Sequence, residues 1–171
     1  MILTIRHATI ADVPDLRRVA ITTQIDTFGA YNTEANMKAY LDHAYSLENL
    51  TRELADEGSQ NYLAFYGEEL AGFARLRKSQ EADHLLGTNT LEMQRLYVLN
   101  KYHGKKIGAA LMREAIRFAS QQKIEWLWLG VWERNFRAQE FYARWGFERF
   151  SEHVFQMGDD PQTDWLLKKK M

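Results

Sequence analysis

The sequence predicts one α/β domain, residues 1–171, built on a mixed central sheet of about seven strands with flanking helices, and three observations carry this. Hydrophobic spacing switches repeatedly between the helical period and strand alternation. Two apolar runs, Leu91 to Val98 and Trp126 to Val131, are separated by a helical pattern long enough for a parallel crossover. The 171 residues suffice for a full core, and no Pro-, Gly- or Ser-rich linker divides them.

In order, Leu3 to His7 reads as an opening strand. Thr9-Ile-Ala-Asp12 followed by Pro14 reads as a capped helix start, and Val13, Leu16, Val19, Ala20, Thr23 and Thr27 give that helix one core-facing side to about Thr27. A second helical stretch runs from Asn32 through Tyr45, and Ser46 with Asn49 caps a third that ends near Gly58. Tyr62 to Tyr66 and Glu69 to Lys78 flank Gly67-Glu68, the pattern of an antiparallel hairpin. A polar loop, Ser79 to Asn89, leads to the strand Leu91 to Val98. The next helix, Lys105 to Gln121, carries a buried row at Ile107, Leu111, Ala115 and Ala119. The run Trp126 to Val131 suits a strand covered on both faces. A last helix, Asn135 to Arg144, ends at the capping Gly146, before strands at about Phe147 to Phe155 and Asp164 to Lys168.

Composition narrows the function classes. A 46 % hydrophobic, 13 % aromatic chain is globular, and a net charge of −1 gives no electrostatic footprint for nucleic acid. The one basic run, Lys168 to Lys170, reads as solvated charge. No apolar stretch approaches a membrane span and no signal-peptide pattern opens the chain, so a cytoplasmic location is expected. Zero cysteines exclude disulfides, thiolate metal sites and cysteine nucleophiles, and the five histidines lack metal-ligand spacing, so no metal is expected.

The most informative segment is the loop between Val98 and the following helix. A helix N-terminus offers unpaired amides and a partial positive charge, and Lys105 and Lys106 add full charges there. Gly104 and Gly108 lie four apart, with no third glycine and no Gly-Lys-Ser/Thr. That spacing fits neither the P-loop nor the dinucleotide fingerprint. The alternative is an ordinary helix start with a solvated lysine pair.

The loop resembles the pyrophosphate-binding loop of the Gcn5-related N-acetyltransferase (GNAT) family, Gln/Arg-x-x-Gly-x-Gly/Ala. His103 takes the Gln/Arg place, Lys106 the first glycine and Gly108 the second. Asn135-x-x-Ala138-x-x-Phe141-Tyr142 followed by Gly146-Phe147 is similar to the family's second hallmark. The segments Asn36 to Leu41, Trp128 to Glu133, Met157-Gly158 and Gln162 to Asp164 look like the PaiA-type branch, which acetylates spermidine and spermine.

The resemblance implies a GNAT acyl-CoA fold with a splayed parallel strand pair. It implies acetyl-CoA as cosubstrate, with its pantetheine arm bonded to the main chain of Leu96, Tyr97 and Val98. The diphosphate would rest on His103, Gly104, Lys105, Lys106, Ile107, Gly108 and Ala109. Leu96 and Val98 also read as plain core, which backbone contacts allow. Asn135 and Tyr142 are seven residues apart and share a helix face with Ala138 between them. The resemblance makes Asn135 a pantetheine ligand, where the residue alone reads as an N-cap, and makes Tyr142 the proton donor to the leaving thiolate, where the alternative is a half-buried aromatic.

The implied mechanism is direct attack by an amine, without an acyl-enzyme, with the Val98 amide holding the oxyanion. An alkylamine of pKa about 10.4 must first lose a proton. Glu92 is the first candidate base, placed by strand alternation on the face of Leu96 and Val98 unless a strand bulge reverses it; an exposed strand carboxylate is the other reading. A polyamine would need carboxylates and aromatic faces, and Asp26, Phe28, Tyr31, Glu133, Asp159 and Asp160 are the available picks, although a turn carboxylate pair is commonly just solvated. Alternative acceptors are a protein N-terminus, an amino acid or another small amine such as an aminoglycoside, and a CoA-binding regulatory module without turnover is a third class. No nucleic-acid or membrane partner is expected, and family resemblance admits a homodimer.

Overall fold

A computed structural model describes all of residues 1–171. The strands are β1 (Leu3–His7), β2 (Gln60–Tyr66), β3 (Glu69–Arg77), β4 (Thr90–Val98), β5 (Trp126–Trp132), β6 (Glu148–Met157) and β7 (Asp160–Lys170). The helices are α1 (Val13–Phe28), α2 (Glu34–Ala44), α3 (Leu47–Ala55), α4 (Asp83–Leu86), α5 (Ile107–Gln121) and α6 (Phe136–Arg144). No helix is long and apolar enough to cross a membrane.

Local chemistry sets the boundaries. The Asp12 carboxylate accepts the Thr9 N–H at 2.7 Å and pairs with Arg6 at 2.7 Å, which closes the capping box ahead of α1. The Arg6 guanidinium holds the Asp12 carboxyl well below the usual carboxylate range. Thr33 and Ser46 accept the Asn36 and Asn49 N–H groups at 3.1 and 3.0 Å, starting α2 and α3.

Three segments depart from the sequence expectation. The polar loop 79–89 contains the single turn of α4, because Ala82 and Leu86 bury against Trp128. The last two strands extend to a tight turn at Gly158 (φ 61°), where pairing continues as far as Met157 and Asp160. Lys168 and Lys170 belong to β7 and lie over the Trp126 ring at 4.5 and 5.8 Å, so the basic run is part of the sheet surface.

The sheet order is β1-β2-β3-β4-β5-β7-β6, antiparallel except for β4 with β5. Helices α1 to α3 pack on one face, where Val19, Leu50, Phe73 and Trp132 share a core. Helix α5 covers the other, with Ile107, Leu111, Ala115 and Ala119 at most 1 % exposed. The buried row expected on that helix is therefore the centre of the second core.

Candidate active site

The parallel pair forks. Strands β4 and β5 are paired only at Thr90–Trp126, Leu91–Leu127 and Glu92–Trp128, and beyond Glu92 they separate. At the same point Arg75 pairs with Arg95 and Leu76 with Met93, leaving Gln94 as an extra residue on β4. Such a bulge bends its strand and ends regular pairing. Leu99 N–H bonds Ala71 C=O on β3 at 2.9 Å, so by alternation the main-chain groups of Leu96 and Val98 face the gap while those of Tyr97 face Phe73 on β3, which corrects the expected main-chain contact at Tyr97. A cavity of about 640 Å³ occupies the fork, lined by Tyr40 and Tyr45 from one side of the sheet and by Ile107 and Tyr142 from the other.

One end of the cavity is cationic and amide-rich. His103 to Lys106 form the loop into α5, whose first helical residue is Ile107, not Lys105. Lys106 adopts φ 63°, the left-handed region that favours glycine, and that is the place where the resembled motif has its first glycine. Gly104 has φ 82° and open space around its α-carbon. Helix α5 has no side-chain cap at its N-terminus, so its first-turn N–H groups depend on an external acceptor. Gly72 lets this helix approach: a methyl group there would sit 2.8 Å from Tyr97 O and 3.3 Å from the Ile107 side chain.

His103 is locked between two partners. Its Nε2 lies 3.0 Å from Val98 O and its Nδ1 2.5 Å from Arg137 Nη1. Burial and the neighbouring guanidinium lower its pKa. The neutral ring thus donates to Val98 and accepts from Arg137, leaving the Val98 N–H directed into the gap. Arg137 was not singled out by motif; it is the second residue of α6, and only the fold brings it to the loop. With Lys106 it places positive charge at this end.

Helix α6 forms the adjacent wall. Asn135 Oδ1 accepts the Ala138 N–H at 3.2 Å, so it is an N-cap, and its amide nitrogen is free toward the cavity. Ala138 and Tyr142 line the same wall, and burial pushes the Tyr142 hydroxyl well above the ordinary tyrosine range. That phenol stays protonated and able to donate.

The other end carries carboxylates. Glu92 is buried at the crotch of the fork and accepts from Arg77 Nε at 2.6 Å. Its side chain lies on the face of Arg95 and Tyr97, opposite Leu96 and Val98, because the extra residue Gln94 reverses the alternation. The expected shared face is corrected, although the open fork still brings Glu92 to the cavity. Arg95 makes a two-point pair with Glu53 at 2.5 and 3.1 Å, and its guanidinium lies 4.7 Å over the Tyr45 ring. Glu81 and Asp164 flank His153 nearby.

The structure gathers Glu92, Leu96, Tyr97, Val98, His103, Gly104, Lys106, Ile107, Gly108, Ala109, Asn135, Tyr142 and Phe28 around the one cavity. Lys105 is exposed beside it. The remaining substrate picks do not converge. Tyr31, Glu133 and Asp160 border a separate cavity of about 160 Å³, where Tyr31 packs edge-on to Trp132 at 5.0 Å. Asp159 accepts from Asn36 Nδ2 at 2.6 Å and secures the Gly158 turn, while Asp26 is exposed on α1. Glu81, Tyr40, Tyr45, His153 and Asp164 line the main cavity without having been anticipated as site residues. Of these, Tyr40 and Asp164 fell within segments that carry the PaiA-like resemblance.

A helix start without a cap, cationic neighbours and an open strand edge together fit a ligand with an anionic head and an extended amide-bearing arm. Comparison with known proteins agrees. Residues 25–147 match the acetyltransferase (GNAT) family model, and the chain belongs to that family as an N-acetyltransferase. An uncharacterized N-acetyltransferase of Lactobacillus delbrueckii subsp. lactis is 37 % identical over 94 % of this chain and 92 % of its own length. A spermidine N(1)-acetyltransferase of Thermoplasma acidophilum is 27 % identical over 99 % of this chain and 98 % of its own. The crystal structure of the PaiA N-acetyltransferase from Thermoplasma acidophilum in complex with coenzyme A covers 100 % of both chains with a TM-score of 0.83 at 26 % identity.

Proposed function

We propose that this chain transfers the acetyl group of acetyl-CoA to a primary amine, and that the acceptor is a polyamine such as spermidine or spermine. The observation that carries the reading is the fork beyond Glu92, with uncapped α5 amides at one end and carboxylates at the other. The coenzyme A complex of the PaiA relative supports the donor, and the spermidine acetyltransferase relative supports the acceptor class.

The N–H groups of the loop and the first turn of α5, with Lys106 and Arg137 nearby, hold the diphosphate. The main chain of Leu96 and Val98 and the Asn135 amide hold the extended arm as an added strand edge. Glu92, fixed by Arg77, takes the proton of the attacking ammonium, and the resulting amine attacks the acetyl carbonyl. The Val98 N–H, free because His103 occupies only the carbonyl of that residue, faces the developing oxyanion. Tyr142 donates its proton to the departing thiolate.

A panel of amines assayed for thiol release tests this reading. Acetylation of spermidine or spermine with higher kcat/KM than amino acids, peptide N-termini or aminoglycosides is expected. Preference for any of those others would overturn the acceptor assignment. Glu92→Gln should lower kcat by about 100-fold or more, and an unchanged kcat would remove Glu92 as the base.

A further inference from the structure

His153 on β6 projects into the acceptor end of the cavity and is held from both sides. Its Nδ1 contacts Glu81 from the loop after β3, and its Nε2 lies 3.3 Å from Asp164 Oδ2 on β7. Both ring nitrogens facing carboxylates require a doubly protonated imidazolium. The hydrogen bond to Asp164, then that to Glu81, pushes its pKa up to about 9. Gly130 on β5 leaves room for the group: a methyl there would stand 3.3 Å from Asp164 Oδ2 and 3.5 Å from His153 Nε2.

Charge is matched elsewhere at this end of the cavity. Arg77 is paired with Glu92, and Arg95 and Arg75 face Glu53 and Asp56. Only the His153 cluster sets two carboxylates against one cation, which leaves a negative charge uncompensated beside a partly desolvated cavity. The wall that continues from it is aromatic, with Phe155 packed edge-on to Tyr40 at 5.3 Å and Tyr40 edge-on to Tyr45 at 6.3 Å. The Tyr45 hydroxyl is buried in that wall near the Tyr40 hydroxyl, without a hydrogen bond of ordinary length. Buried hydroxyls without such a bond are rare in a finished structure and mark where a bound polar group would be satisfied.

We infer that Glu81, Asp164 and His153 form a subsite for a second cationic nitrogen of the acceptor, distinct from the one that attacks. In it His153 acts as an internal cation with which the acceptor competes. The inference deepens the polyamine reading and rests on it for the site's purpose. An aliphatic diamine suits the place: its methylenes cover Phe155 and Tyr40, and its far ammonium neutralises the surplus carboxylate charge.

The test is calorimetric binding of 1,4-diaminobutane and of butylamine to the protein saturated with coenzyme A at neutral pH. This reads the subsite whether or not acetyl transfer occurs, so a failure of the transferase reading is seen separately in the thiol-release assay. The diamine is expected to bind at least about tenfold tighter than the monoamine, and Glu81→Gln with Asp164→Asn should abolish that preference. His153→Gln, which removes the internal cation, should tighten the diamine about threefold or more, whereas loss of a merely structural histidine would weaken it. Equal affinity for the two amines, a preference that survives the double substitution, or weaker diamine binding in His153→Gln would overturn the inference. Thermal melts of each variant identify any that fails to fold, and the single Glu81→Gln exchange, on an exposed loop, then carries the same comparison.

Discussion

Lys106 concentrates the physical conflict of the cofactor loop in one residue. Its φ of 63° costs a side-chain-bearing residue about 1–2 kcal/mol. Its ammonium also sits at the positive end of α5, an unfavourable position worth about 0.3–1 kcal/mol until an anion binds. Replacing it with glycine removes both costs and adds about 0.5–1 kcal/mol of unfolded-chain entropy. Lys106→Gly should therefore stabilise the free protein by about 1 kcal/mol, a rise in Tm of roughly 2–4 °C for a chain of this size.

Lys106→Ala separates the terms, because it deletes the charge and keeps the strained backbone. It should recover only the helix-terminus part, a few tenths of a kcal/mol. In calorimetry with coenzyme A both variants should lose the same few-fold affinity, because both keep the main-chain amide and lose one cation near the phosphates. Paired thermal melts and titrations are sufficient. If Lys106→Gly melts below the wild type, or if alanine stabilises as much as glycine, the backbone-strain argument is wrong.

Tyr142→Phe should lower kcat by about 100-fold with little change in acetyl-CoA affinity, since it removes only a proton donor; unchanged kcat would exclude that role. Gly72→Ala sets a methyl group 2.8 Å from the Tyr97 carbonyl and should cost about 1–3 kcal/mol in denaturant melts; a neutral effect would show that β3, β4 and α5 are less tightly apposed than described. His153 has a folded pKa near 9 against an ordinary 6.5. Its contribution to stability is full below about pH 6.5 and is lost as pH rises through about 9. With solvent screening the loss should be of order 1 kcal/mol. A pH series of thermal melts should show that decline in the wild type and not in His153→Gln.

Elements with strong local causes were legible from the sequence. The α5 row at Ile107, Leu111, Ala115 and Ala119, and the caps at Asp12 and Ser46, are short-range patterns that packing reinforces. The loop and α6 motifs likewise led to residues that meet around the cavity, Leu96 through Tyr142. The face of Glu92 was not legible, because the single extra residue Gln94 inverts a period-two argument and no glycine or proline marks it. The acceptor end was hidden for a different reason. Glu81, His153 and Asp164 come from three elements that become neighbours only when β6 and β7 close the sheet beside β5. The acidic turn at Asp159-Asp160, conspicuous as sequence, is occupied by Asn36 and Gln162 in holding the turn and β7 in place.

The most direct measurement is a crystal structure of the protein with coenzyme A. Diphosphate oxygens are expected within about 3 Å of the main-chain nitrogens of the 103–109 loop and first helical turn, with the arm lying in the fork between β4 and β5. A diphosphate held elsewhere, or an arm that leaves the fork empty, would contradict this placement.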